Sequence, residues 1–114
     1  MKQGNIVAER SDKKLKHLVC VRFKPGTTEE QIRQVETAFA QLSQKVSGIT
    51  GFETGRNVSA ENKDKGFTHI WILTFESEKM RDRYLTHPDH QAFSKVLATV
   101  RDDVFVFDYF SPED

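Results

Sequence analysis

The sequence predicts an α+β domain in the order β-α-β-β-α-β, built on a four-stranded antiparallel sheet. Three observations carry that expectation. Lys16–Phe23, Phe67–Phe75 and Val104–Phe110 have the alternation or the short apolar run of a strand. Between the first two, Ile32, Val35, Phe39, Leu42 and Val46 recur at steps of three and four, one apolar stripe over about four helical turns. A second helical pattern, split at Pro88, separates the third strand from the last.

Residues 1–14 are polar, end in Ser11-Asp12-Lys13-Lys14 and show no periodicity, so they read as a loose arm ahead of a domain over residues 15–110. In the first strand His17, Val19, Val21 and Phe23 take one face and Leu18, Cys20 and Arg22 the other, until Pro25-Gly26 stops it. Thr27 with Glu30 has the spacing of a capping box, and acids in the first turn suit the helix dipole. Gly48 and Gly51 end that helix and lead to a weaker strand near Phe52–Val58. The polar run from Ser59 to Gly66 reads as a long hairpin loop. Ser77 is a cap for a short helix through Met80 and Tyr84, and Pro88 suits the first turn of another, with His87 a poor cap before it. Phe93, Val96, Leu97 and Val100 give that last helix its apolar side. The order is that of the ferredoxin-like split βαβ arrangement.

A chain of 114 residues suits one domain with its own core. Lys+Arg and Asp+Glu number 17 each, so no net charge draws the chain to nucleic acid or to an anionic membrane. No RNA-type aromatic motif lies on the strands, and no apolar run is long enough to span a membrane. Lys2 is followed by no apolar stretch, so no signal peptide is read. A single cysteine, Cys20, permits no intrachain disulfide and fits a reducing, cytoplasmic setting.

Two helical layers cover only one face of such a sheet, and the other should then be polar. Instead Ile70 and Ile72 oppose His69, Trp71, Leu73 and Phe75 on the third strand, and Val104-Phe105-Val106-Phe107 leaves no polar side. The expected cover is a second copy, a homodimer closed through the sheet face.

The chemistry-bearing residues gather at element junctions. Tyr84-Leu85-Thr86-His87-Pro88-Asp89-His90 places a phenol and two imidazoles around a helix start, and His17 and His69 open the first and third strands. His90 stands third in its helix, where the positive end disfavours imidazolium and keeps a base neutral. Tyr84 follows Met80 by four, on the apolar side, so a buried hydroxyl there needs a partner, either a ligand oxygen or the protein itself. His17 and His69 read as ligand contacts or as satisfied core histidines. They fall at opposite ends of antiparallel neighbours, too far apart to share a metal. His87 and His90 lack the carboxylates or cysteines of a closed ligand set, so neither metal nor haem nor flavin is expected. Cys20 reads as a small buried hydrophobe, and the glycines have no phosphate-binding spacing.

The segments Lys16-His17-Leu18-Val19-Cys20-Val21-Arg22-Phe23-Lys24, Lys65-Gly66-Phe67-Thr68-His69-Ile70, Thr74-Phe75-Glu76-Ser77, Tyr84 to His90 and Phe107-Asp108-Tyr109 stand in the order found in the stress-responsive A/B barrel (Dabb) family, which the chain resembles over about residues 15–110. The resemblance implies a dimeric α+β barrel. It also implies one of two functions: a cofactor-independent, polyketide cyclase-like enzyme, or a non-catalytic stress-response protein that binds a small ligand or is structural. In the enzyme reading His90 matches the base and Tyr84 the residue that polarises a carbonyl. His17 and His69 match strand-start histidines, and Phe39, Trp71, Leu73 and Phe93 line the apolar part for a small apolar or keto-type ligand. Phe39 replaces a tyrosine of the family's cyclase and Trp71 a small aliphatic, and a tryptophan fills space in a pocket.

Overall fold

The computed structural model describes residues 13–112, so most of the expected N-terminal arm lies outside the described residues. The elements are β1 (Leu15–Phe23), α1 (Glu29–Lys45), β2 (Ile49–Arg56), β3 (His69–Phe75), α2 (Glu78–Thr86), α3 (Pro88–Ala98) and β4 (Arg101–Phe110). The four strands form one antiparallel sheet in the order β2-β3-β1-β4. This is the ferredoxin-like order, with the second helical region divided at Pro88.

Local chemistry moves several boundaries. The capping box of α1 is Thr28 with Gln31, not Thr27 with Glu30: the Gln31 N–H donates to Thr28 Oγ1 at 3.1 Å and the Thr28 N–H to Gln31 Oε1 at 2.9 Å. Thr27 is consumed by the preceding turn, where its hydroxyl donates to the Lys24 carbonyl at 2.6 Å. Strand β2 runs from Ile49 to Arg56 rather than from Phe52 to Val58. Strand β3 begins at His69 rather than Phe67. Strand β4 starts three residues early, because Arg101 pairs with Phe23 across a bulge and the polar Asp103 pairs with Arg22. His87 does cap α3, its Nδ1 accepting the Asp89 N–H at 3.0 Å. Gly48 sits at φ +93°, and a Cβ there would stand 2.8 Å from Met80, so this turn and its close approach to α2 both require glycine.

The helices lie on one face. Val35, Phe39, Leu42 and Val46 of the α1 region pack on Val19, Val21, Trp71, Leu73 and Phe75, with Tyr84, Phe93 and Leu97 from α2 and α3. Trp71 is fully enclosed, its ring 5.0 Å from Phe39. The opposite face is apolar as expected. Its exposed apolar part is the aromatic row of β4, Phe105, Phe107 and Tyr109, at 50%, 54% and 39% exposure, while Ile70 and Ile72 of β3, across β1 from that row, are half-buried.

Candidate functional site

A cavity of about 490 Å³ lies between the inner side of β1 and β4 and the helices α1, α2 and α3. Its polar end is made by His17, Tyr84, His90 and Asp108, and Val19, Phe39, Phe93 and Leu97 make its apolar wall. Alternation on β1 turns His17 inward beside Val19. The α2–α3 junction at His87-Pro88 brings Tyr84 and His90 together, their rings 4.5 Å apart.

His90 is half-buried, and its Nδ1–H donates to the Leu85 carbonyl at 3.1 Å. A carbonyl only accepts, so the proton sits on Nδ1 and the lone pair on Nε2. Burial pushes the imidazole below its ordinary 6.5 and the nearby His17 adds to this, while the bond to Leu85 pulls the other way. The sequence expectation named the helix end as the cause. Desolvation is the main cause here.

Tyr84 is 1% exposed, and burial pushes its phenol well above 10, so it stays protonated and a donor. Among the described residues nothing hydrogen-bonds its hydroxyl. His17 packs edge-on against Tyr84 at 5.9 Å and against Phe75 at 6.0 Å. Its Nδ1–H donates to Asp108 Oδ1 at 2.7 Å, and Asp108 Oδ2 accepts from Arg81 of α2 at 2.5 Å. The carboxylate thus holds the Nδ1 proton and the ring orientation of His17.

The geometry brings together His17, Phe39, Tyr84, His90 and Phe93 and leaves three expected residues elsewhere. Trp71 and Leu73 are wholly enclosed in the core and line no part of this cavity. His69 lies four pairs along β1 from His17, opposite Val21. Thr68 Oγ1 stands 2.7 Å from its Nδ1, while its buried Nε2 has no hydrogen-bond partner among the described residues and lies 3.7 Å from Glu36 Oε2. Burial lowers its pKa, the Arg56 charge adds to that, and Glu36 and Glu29 oppose it. Sequence reasoning missed Asp108 and Arg81 as partners of His17. The signal was the only acid among Val104, Val106, Asp108 and Phe110, the inward set of β4. Among the described residues no group of three or more His, Cys, Asp or Glu side chains could hold a metal ion.

A helix-backed, four-stranded antiparallel sheet with a pocket between its layers defines a ferredoxin-like α+β domain. The chain belongs to the stress-responsive A/B barrel domain family, whose pattern matches residues 15–111. It is 35% identical over 95 residues to the stress-response A/B barrel domain-containing protein HS1 of Arabidopsis thaliana, covering 83% of this chain and 87% of that one. It is 32% identical over 95 residues to olivetolic acid cyclase of Cannabis sativa, covering 83% and 94%. Among solved structures it is similar to At3g17210 of Arabidopsis thaliana, with a TM-score of 0.81, 34% identity and coverage of 88% and 96%. It also resembles a dimeric ferredoxin-like protein of unknown function from Jannaschia, with a TM-score of 0.72, 25% identity and coverage of 84% and 97%.

Proposed function

We propose that this chain is a small cofactor-independent, polyketide cyclase-like enzyme that abstracts a proton next to a carbonyl. The observation that carries the reading is the His90 and Tyr84 pair. Nδ1 of His90 is tied to Leu85, so Nε2 is left to accept a proton beside a phenol that has no hydrogen-bond partner among the described residues. In this reading His90 takes the α-proton, the Tyr84 hydroxyl donates to the carbonyl oxygen as negative charge develops, and Phe39 and Phe93 hold the apolar part of the substrate. His17, oriented by Asp108, stands at the same end of the cavity as a second polar contact for the substrate. The similarity to olivetolic acid cyclase supports the reaction class.

The predominantly apolar wall favours a second reading, a non-catalytic stress-associated binding protein using the same cavity. Incubation with linear poly-β-keto acids separates the two. A cyclised product that disappears in H90A supports the enzyme, and saturable binding without turnover supports the binder.

The exposed aromatic row of β4 supports a homodimer through the sheet face, as does the similarity to a dimeric relative. The balanced charge argues against a nucleic-acid partner. Among the described residues no helix is long and apolar enough to cross a membrane. The lone cysteine favours the cytoplasm as the setting.

A further inference from the structure

Arg101 opens β4 and lines the same cavity as His17 and Asp108, seven residues along the strand from Asp108. It pairs with Phe23 across the sheet, and Asp108 pairs with His17. At about 3.3 Å per residue, the two ends of the wall are separated by roughly 20 Å of strand. Between them the β4 side of the cavity is Asp103, whose carboxylate lies toward Arg22, and the apolar Val104 and Val106. The cavity is therefore a trough with an apolar middle, an acid/base group at one end and, at the other, the Arg101 guanidinium with Asp103 two residues along.

The neighbouring acids leave that guanidinium alone. Asp102 Oδ2 accepts from Arg22 Nε at 2.7 Å, and Asp103 Oδ2 lies 3.5 Å from the Arg22 Nη2. Asp103 Oδ1 accepts its neighbour's backbone N–H, that of Val104, at 2.8 Å. Among the described residues no carboxylate stands within ion-pair distance of Arg101. With Asp102 and Asp103 both engaged by Arg22, the Arg101 guanidinium is, among the described residues, the cation at this end left open to a ligand. The planar fork matches a carboxylate or a phosphate.

We propose that Arg101 anchors the anionic end of an elongated ligand, an alkyl or acyl chain with a terminal carboxylate or phosphate, whose other end reaches His90 and Tyr84. This rests on the cavity being a small-molecule site, as proposed above, and adds the class of ligand that the site selects. Because Arg101 is exposed at the mouth, its effect is moderate and sensitive to salt.

The test is calorimetric titration of the full chain, wild type, R101Q and R101K, with decanoate, decyl phosphate and methyl decanoate. Decanoate or decyl phosphate should bind the wild type about tenfold more tightly than the ester, and their order tells carboxylate from phosphate. R101Q should erase the advantage, R101K should restore part of it, and high salt should narrow it. Equal binding of acid, phosphate and ester, unchanged in R101Q, overturns the anchoring role and leaves the cavity as a binding site. No binding of any of the three overturns both the anchor and the small-molecule reading beneath it.

Discussion

Asp108 on β4 accepts the Nδ1–H of His17 on β1 at 2.7 Å, and the two are direct partners in the ladder. The second carboxylate oxygen takes a hydrogen bond from Arg81 at 2.5 Å. One acid therefore links both inner strands of the cavity to α2, the helix that carries Tyr84. The same carboxylate that orients His17 through one oxygen ties the helix to the sheet through the other.

Removing that acid should show in stability before it shows in function. D108A leaves a nearly buried imidazole N–H and the Arg81 guanidinium without their shared acceptor, and should cost about 1–3 kcal/mol in urea denaturation. D108N keeps an acceptor for His17 and should cost less. Equal stability of wild type and D108A would show that the bond is solvent-compensated.

Stability should fall on mild acidification. Burial is the largest cause holding both His69 and His90 below 6.5. Between the folded and unfolded pKa values the unfolded chain binds more protons, so stability rises with pH there. The contribution is complete above about pH 6.5 and is lost as pH falls through the lowered folded values. Urea midpoints measured from about pH 8 to pH 5 should decline below that point, and H69Q should flatten the decline. A slope of the opposite sign would contradict the burial argument.

Trp71 should tolerate one substitution far better than another. Its Nε1–H is buried and has no hydrogen-bond partner among the described residues, an omission that costs roughly 1–3 kcal/mol. W71F removes the orphan donor with part of the ring and should destabilise by less than about 2 kcal/mol. W71A should cost about 3–5 kcal/mol through the cavity it leaves. Thermal or urea unfolding of both variants checks the difference.

The apolar outer face should make the protein a dimer. Light scattering at micromolar concentration should give twice the chain mass. I72E or F107E, each placing a charge on the sheet face, should shift it to monomer or aggregate. A monomeric wild type would contradict the two-face argument.

Much of this was legible in the chain because the cues were redundant. Alternation in His17, Val19 and Val21, the stripe from Val35 to Val46, and Pro88 after Tyr84 each specify an element and a face, and they agree. Boundaries were less legible where two local solutions compete, as at Thr27-Thr28-Glu29-Glu30-Gln31, where two overlapping capping boxes can be written and the preceding turn decides. The site was legible in its sequence-local part, Tyr84 and His90, which one helix junction joins. It was not legible where it depends on strand register. Asp108 meets His17 only because β4 lies beside β1, at a sequence separation of 91 residues. Likewise Trp71 and Leu73 share the inner face with His17, yet α1 and β2 bury them away from the cavity, and no periodicity distinguishes a buried inward residue from one that lines a void.

The central claim is that His90 and Tyr84 act together as base and hydrogen-bond donor on a carbonyl compound. Its most direct measurement is the exchange of α-protons of a straight-chain ketone with D2O, followed by NMR at neutral pH. The wild type should accelerate exchange above buffer. H90A should lose about 10²–10⁴-fold of that acceleration, and Y84F should lose less, with both variants folded. Exchange that is no faster than buffer, or equally fast in H90A, would contradict the account.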